Sequence, residues 1–133
     1  MSWDYSCPKC SAALNPDRSV ILRMSHDDVD CLVGLHPQPG KYEVHLPPKV
    51  TTEDGTAWDF SCPICSETLK AEEEPNLCEL RLTLDGEDVR IFFSRIAGEH
   101  ATFICHEDQP CEEYGADAGK YAARKKKELA EQN

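Results

Sequence analysis

Residues 3–14 read WDYSCPKCSAAL, and residues 58–69 read WDFSCPICSETL, so nearly the same twelve residues occur twice in a chain of 133. Eight of the twelve positions are identical, and Tyr5 is replaced by the similar Phe60. Chance is a poor explanation for such agreement. The chain therefore contains an internal repeat, and each copy is centred on a Cys-Pro-x-Cys motif.

The second copy continues with a pattern typical of β-strands. Apolar residues alternate with polar ones over 80–84, Asp85-Gly86 predicts a turn, and the alternation resumes over 89–93. A further strand is predicted in ATFICH, which starts at Ala101. The second copy thus predicts three short antiparallel strands after its cysteine motif.

The first copy fits the same template. Its apolar positions are Val20, Leu22 and Met24, followed by a polar turn at 26–28 and a second alternating stretch over 29–33. KYEVHL, from Lys41, supplies the third predicted strand. The two copies together predict a mainly β protein made of two pseudo-symmetric three-stranded antiparallel units.

The repeat also suggests how the chain is divided. We expect a first unit over 1–50, a polar linker over 51–57, a second unit over 58–111 and a basic tail over 112–133. The tail carries a run of helix-forming residues and predicts a short C-terminal α-helix. Five of the fourteen lysines and arginines lie in the last fourteen positions (Lys120, Arg124, Lys125, Lys126 and Lys127).

Composition excludes several classes of protein. A net charge of −11 argues against general nucleic-acid binding, because phosphate contacts require clustered lysine and arginine. No apolar run is long enough to span a membrane, and the N-terminus does not resemble a signal peptide. We therefore read the eight cysteines as metal ligands and spare thiols in a reducing compartment, the cytoplasm, rather than as a disulfide framework.

The Cys-Pro-x-Cys motifs carry the predicted chemistry. Two thiolates separated by two residues can bind one metal, because a tight turn brings both sulfurs to the same side. This turn resembles the knuckles of the zinc-ribbon and rubredoxin-like families, in which two knuckles face each other across one metal. The resemblance implies zinc-ribbon-like units, with Cys7, Cys10, Cys62 and Cys65 as ligands. Glycine commonly follows the second cysteine in those families, whereas Ser11 and Ser66 stand there in this chain.

Two arrangements of metal sites remain open from the sequence. In the first, the four motif cysteines share one metal and hold the two units together. In the second, each unit has its own metal, with a different fourth ligand in each half. The first of those sites would use Cys7, Cys10 and His45 with Cys31 or His36, and the second Cys62, Cys65 and Cys105 with Cys111 or His106.

Zinc is favoured over iron. Four thiolates suit either metal, but the two motifs lie further apart than the compact spacing typical of rubredoxins, and the glycines are missing. A closed four-cysteine site leaves no open position for a water nucleophile, so we expect no catalytic activity from the chain alone.

Three function classes follow. The favoured one is a non-catalytic zinc-binding structural and interaction module, an accessory subunit that binds larger protein subunits. By its size and acidity the chain also resembles the small zinc-binding subunits of ATP-dependent ketone carboxylases that act on acetone or acetophenone, which implies a role in bridging large catalytic subunits. The alternatives are a rubredoxin-like electron-transfer protein and a zinc-ribbon regulator of transcription.

Overall fold

The computed structural model describes residues 4–15, 19–38, 41, 44–72, 74, 76–84, 86–106 and 111–118. Within these ranges the protein is mainly β, with two antiparallel sheets and no helix, which confirms the predicted fold class. The predicted C-terminal helix lies outside the described residues. No helix in the described part of the chain is long and apolar enough to cross a membrane.

Two long hairpins form the centre of the sheets. One joins β2 (Val20–His26) to β3 (Val29–Leu35), and the other joins β6 (Leu77–Leu84) to β7 (Glu87–Ser94). Gly86, in the second hairpin, has a φ of 84°, which glycine adopts without strain. The second hairpin agrees with the predicted alternation, since Leu80, Leu82, Val89 and Ile91 are buried on one face. In the first hairpin β2 follows the pattern, whereas β3 follows it only in part, because Val33 is buried but Val29 is exposed.

Shorter strands complete the sheets. The first sheet contains β4 (Val44–His45) and β5 (Asp59–Ser61) in the order β4-β3-β2-β5. The second sheet contains β1 (Asp4–Ser6), β8 (Thr102–Cys105) and β9 (Glu112–Tyr114) in the order β1-β6-β7-β8-β9. The sequence did not predict β9, which extends the second sheet beyond Cys111.

The two halves of the chain exchange strands. β1 comes from the first copy of the repeat but pairs with β6 of the second copy, with Tyr5 opposite Leu82. β5 comes from the second copy but pairs with β2 of the first, with Phe60 opposite Met24. Each sheet therefore contains one strand from the other half, and neither sheet is complete without both halves.

Most of the core lies in one apolar cluster, to which both sheets contribute. Leu22 and Leu82 are fully buried in it, as are the sulfur-bearing residues Cys7 and Cys62. A second, smaller cluster surrounds Phe103 and contains only residues from position 71 onward (Ala71, Leu77, Phe92, Ala101, Phe103 and Ala118). The first cluster thus ties the cysteine motifs to both sheets, whereas the second belongs to the C-terminal half alone.

Candidate metal centre

The two Cys-Pro-x-Cys knuckles have the same local structure. In the first, the Ser11 N–H donates to the Cys7 carbonyl at 2.9 Å and the Cys7 N–H donates to the Ala12 carbonyl at 3.0 Å. In the second, the Ser66 N–H donates to the Cys62 carbonyl at 3.0 Å, and the Cys62 N–H donates to the Glu67 carbonyl at 3.1 Å. Sequence identity between the copies is therefore matched by the same hydrogen-bonded turn.

The serine that follows each knuckle has a left-handed backbone. Ser11 has a φ of 66° and Ser66 a φ of 64°. Residues other than glycine rarely adopt this backbone conformation, because their Cβ atom crowds the backbone. The geometry explains why glycine is common here in zinc-ribbon and rubredoxin-like proteins, and it shows that the serines in this chain accept the same turn with some strain.

Ser66→Gly is therefore expected to stabilise the protein. Relief of the left-handed strain is worth about 1 kcal/mol, partly offset by the greater freedom of glycine in the unfolded chain. Ser11→Gly is the matched comparison, because its hydroxyl accepts a hydrogen bond from the Arg81 Nη1 at 3.1 Å and that bond would be lost. Chemical denaturation of the metal-loaded proteins should give Ser66→Gly a higher free energy of unfolding than Ser11→Gly. The reverse order would contradict this explanation.

The two knuckles face each other across one point in space. The Cys7 Sγ lies 3.8 Å from the Cys65 Sγ, and the Cys10 Sγ lies 3.7 Å from the Cys62 Sγ. All four sulfurs lie within 4.8 Å of one another. The strand exchange produces this arrangement, because β1 and β5 each lead directly into a knuckle.

Two of the six sulfur–sulfur distances match those around a tetrahedral metal, and the other four are no longer than 4.8 Å. A Zn–S bond of about 2.3 Å places the sulfurs of a regular tetrahedron about 3.8 Å apart, and the two cross-knuckle distances agree with that value. Four cysteines are also the donor set of structural zinc sites. Because Fe–S bonds have similar lengths and donors, the geometry identifies a metal-binding group without separating zinc from iron.

Backbone N–H groups support the buried sulfur of each knuckle. The Lys9 and Cys10 N–H groups lie 3.3 and 3.4 Å from the Cys7 Sγ, and the Ile64 and Cys65 N–H groups each lie 3.4 Å from the Cys62 Sγ. These bonds favour the thiolate, which is the form that binds metal.

Burial, backbone N–H groups and neighbouring sulfurs shift the pKa values of Cys7, Cys62 and Cys65. Burial raises the pKa of Cys7. Burial also opposes ionisation of Cys62, but backbone N–H groups and neighbouring thiols outweigh it and lower its pKa to about 7. The Glu67 N–H lowers the pKa of Cys65, yet burial and the other sulfurs raise it to about 12. Four thiolates this close therefore require a bound cation to ionise together.

Arg81 supports the first knuckle from the second half of the chain. Its Nη1 donates to the Ser11 Oγ at 3.1 Å, and its Nη2 lies 3.5 Å from the Pro8 carbonyl oxygen. Sequence reasoning missed this residue, because the partners are about 70 positions apart and nothing local marks Arg81 as part of the site. The pairing of β1 with β6 is what brings them together.

The other predicted ligands do not join this group. Cys105 and Cys111 form a disulfide with their Cα atoms 4.2 Å apart, a bond the sequence analysis did not predict. His45 lies on β4, at the opposite edge of its sheet from β5, which is about 14 Å across three strand spacings. In the described ranges no second group of three or more potential ligands occurs. The described residues therefore do not form the two separate metal sites of the alternative arrangement.

An apolar cavity is a separate feature. It lies between the sheets, has a volume of about 220 Å³, and is lined mainly by apolar side chains that include Phe60 and Phe93. Ligand pockets usually have volumes of about 300–1,000 Å³, so this space is small for a substrate site. The four-cysteine group remains the best candidate for a functional site.

The fold and the site together define a class: a mainly β protein whose two Cys-Pro-x-Cys knuckles form one group able to hold a metal ion, consistent with a zinc-knuckle type. No known protein family, curated protein or solved structure matches the chain. The functional assignment therefore rests on the geometry described above.

Proposed function

We propose that the chain is a non-catalytic zinc-binding module in which one shared zinc ion joins the two halves. The observation that supports it best is the tetrahedral spacing of sulfurs contributed by two knuckles whose strands are exchanged between the sheets. The repeat has a physical purpose on this view, since each copy supplies half of a four-ligand site.

A structural role follows from the ligand set. Four cysteines fill the coordination shell of zinc and leave no position for a metal-bound water, which hydrolytic zinc enzymes need. Zinc-binding free energy then contributes directly to folding, as in other small zinc domains.

We further propose that the module binds a larger protein as an accessory subunit. The support is a small acidic body with two sheets whose outer strands offer edges to which an extended segment of a partner can pair. A multi-subunit ketone carboxylase of the acetone or acetophenone type is the particular assembly that the size and acidity favour. The cytoplasm is the proposed compartment because zinc thiolates persist under reducing conditions. The Cys105–Cys111 disulfide is the observation that argues against this compartment.

The proposal is tested by the metal content of the purified untagged protein. We expect one zinc per chain and no visible absorption, with an unchanged zinc content in the Cys31→Ala variant. Two zincs per chain would favour separate sites in the two units, and absence of metal from a folded protein would refute the proposal.

Iron in place of zinc would make the chain an electron carrier. The N–H···S bonds at Cys7 and Cys62 are compatible with this alternative, because such bonds also tune the potential of iron–thiolate centres. Charge-transfer bands and a reversible one-electron couple would identify it. The third class, a nucleic-acid-binding regulator, requires duplex binding at low salt that is lost when residues after 119 are deleted.

A further inference from the structure

A group of basic side chains lies beside the first knuckle, on the outer side of the second sheet. Lys9, Lys70 and Arg90 line a cleft of about 220 Å³ together with the carboxylates of Glu72 and Glu79. Arg81 adjoins it, since Arg81 is opposite Arg90 in the β6–β7 register and reaches the Pro8 carbonyl. We call Lys9, Lys70, Arg81 and Arg90 the basic face.

The charge of this face is opposite to that of the chain. The whole sequence has 25 acidic against 14 basic residues, whereas three cations and two carboxylates line the cleft, and Arg81 adjoins it as a further cation. Glu79 pairs with Arg90 through contacts of 2.8 and 3.1 Å. Arg81 bonds to the neutral Ser11 and Pro8 oxygens, so its charge is not cancelled by a carboxylate in those contacts.

Holding these cations together has an energetic cost. Arg81 and Arg90 are directly opposite each other on neighbouring strands, and like charges in that position destabilise a sheet. Their guanidinium groups are also held in place, Arg90 by Glu79 and by the Phe92 ring 4.8 Å away. A pre-positioned, partly uncompensated positive face favours an anionic partner.

We infer that the basic face is the docking site for a carboxylate-rich segment of the larger protein, an inference that rests on the docking role proposed above. A short acidic segment contacts only this face. A nucleic acid duplex would extend over the acidic remainder of the surface and be repelled. The basic face lies beside the first knuckle. Because the shared metal orders that knuckle, it also orders the basic face.

The test is titration of the zinc-loaded protein with an acetylated six-residue glutamate peptide at low salt, followed by NMR amide shifts. We expect shifts at Lys9 and Lys70, and weaker binding as salt is raised. The Lys9→Glu, Lys70→Glu double variant should bind about tenfold or more weakly. The Lys41→Glu, Lys49→Glu variant has the same net charge as that double variant and alters exposed lysines outside the cleft. If the inference is right, the affinities of the two double variants for the peptide should differ by more than about twofold, with the Lys41→Glu, Lys49→Glu variant binding more tightly.

Several results would overturn the inference. Absence of peptide binding at low salt, or equal loss of binding in the two double variants, would remove the basic face as the docking site. Tighter binding of a DNA duplex than of the peptide at this face would replace the acidic protein segment with a nucleic acid. Lys9 lies within the first knuckle, so its substitution could lower the zinc content. In that case the peptide affinity of the single variant Lys70→Glu, which lies outside both knuckles, provides the test.

The result is separable from that of the proposed function. A protein with one zinc per chain that does not bind the peptide would leave the zinc module intact and refute only the docking site. A folded protein without metal would refute the zinc module whatever the peptide does.

Discussion

Cys7→Ser is expected to abolish stoichiometric zinc binding and to unfold both halves of the protein. Structural zinc contributes about 10–16 kcal/mol of apparent binding free energy in small domains, and whole proteins of ordinary stability have only about 5–15 kcal/mol. Cys7 is fully buried, and its knuckle follows β1, which pairs with β6 of the other half. Zinc analysis and amide hydrogen exchange, read separately for β2–β3 and β6–β7, would measure the effect.

Cys78→Ser is the matched control. Cys78 is as buried as Cys7 but lies outside the four-cysteine group, and burial raises the pKa of its thiol to about 12, so it stays neutral. This variant should bury a hydroxyl at a cost of about 1–3 kcal/mol while retaining zinc. Full protection of β6–β7 in Cys7→Ser, with β2–β3 opened, would show that the two halves do not share one metal.

Phe103→Ala is expected to lower the free energy of unfolding by about 3–5 kcal/mol while leaving one zinc bound per chain. Phe103 is completely buried, and it belongs to the smaller core cluster, which contains none of the four cysteines. The cavity left by the ring should therefore weaken the C-terminal half without displacing the knuckles. Denaturant unfolding of the metal-loaded protein, with zinc analysis of the folded sample, would measure both quantities.

Leu32→Ala provides the comparison for that experiment. Leu32 is 54% exposed on β3, so its truncation removes little buried surface and should change stability by no more than about 0.5 kcal/mol. Loss of zinc from folded Phe103→Ala protein would mean that the second cluster positions the metal centre, contrary to the separation of the two cores.

Local patterns were sufficient to predict much of the fold. The alternation over 80–84 and 89–93 predicted the β6–β7 hairpin, because strand periodicity depends only on neighbouring residues. The third predicted strand of the first copy is represented by Val44–His45, and residues 42 and 43 lie outside the described residues. β9 was missed, since three residues after Cys111 carry no clear alternation and are ordered by pairing with β8.

The candidate site was predicted in part. The repeated spacing identified Cys7, Cys10, Cys62 and Cys65, because each motif is a local turn that places two sulfurs together. The supporting role of Arg81 and the Cys105–Cys111 disulfide were not predicted, because each depends on which strands lie side by side.

The sequence by itself determined the two knuckles with their four cysteines and the mainly β class, since these follow from short-range spacing and periodicity. Only the tertiary structure decided that the knuckle strands are exchanged between the sheets and that the four sulfurs form one group instead of two. The physical reason is that strand pairing joins backbone groups from distant parts of the chain. Local alternation specifies which face of a strand is buried, but it does not specify the neighbouring strand.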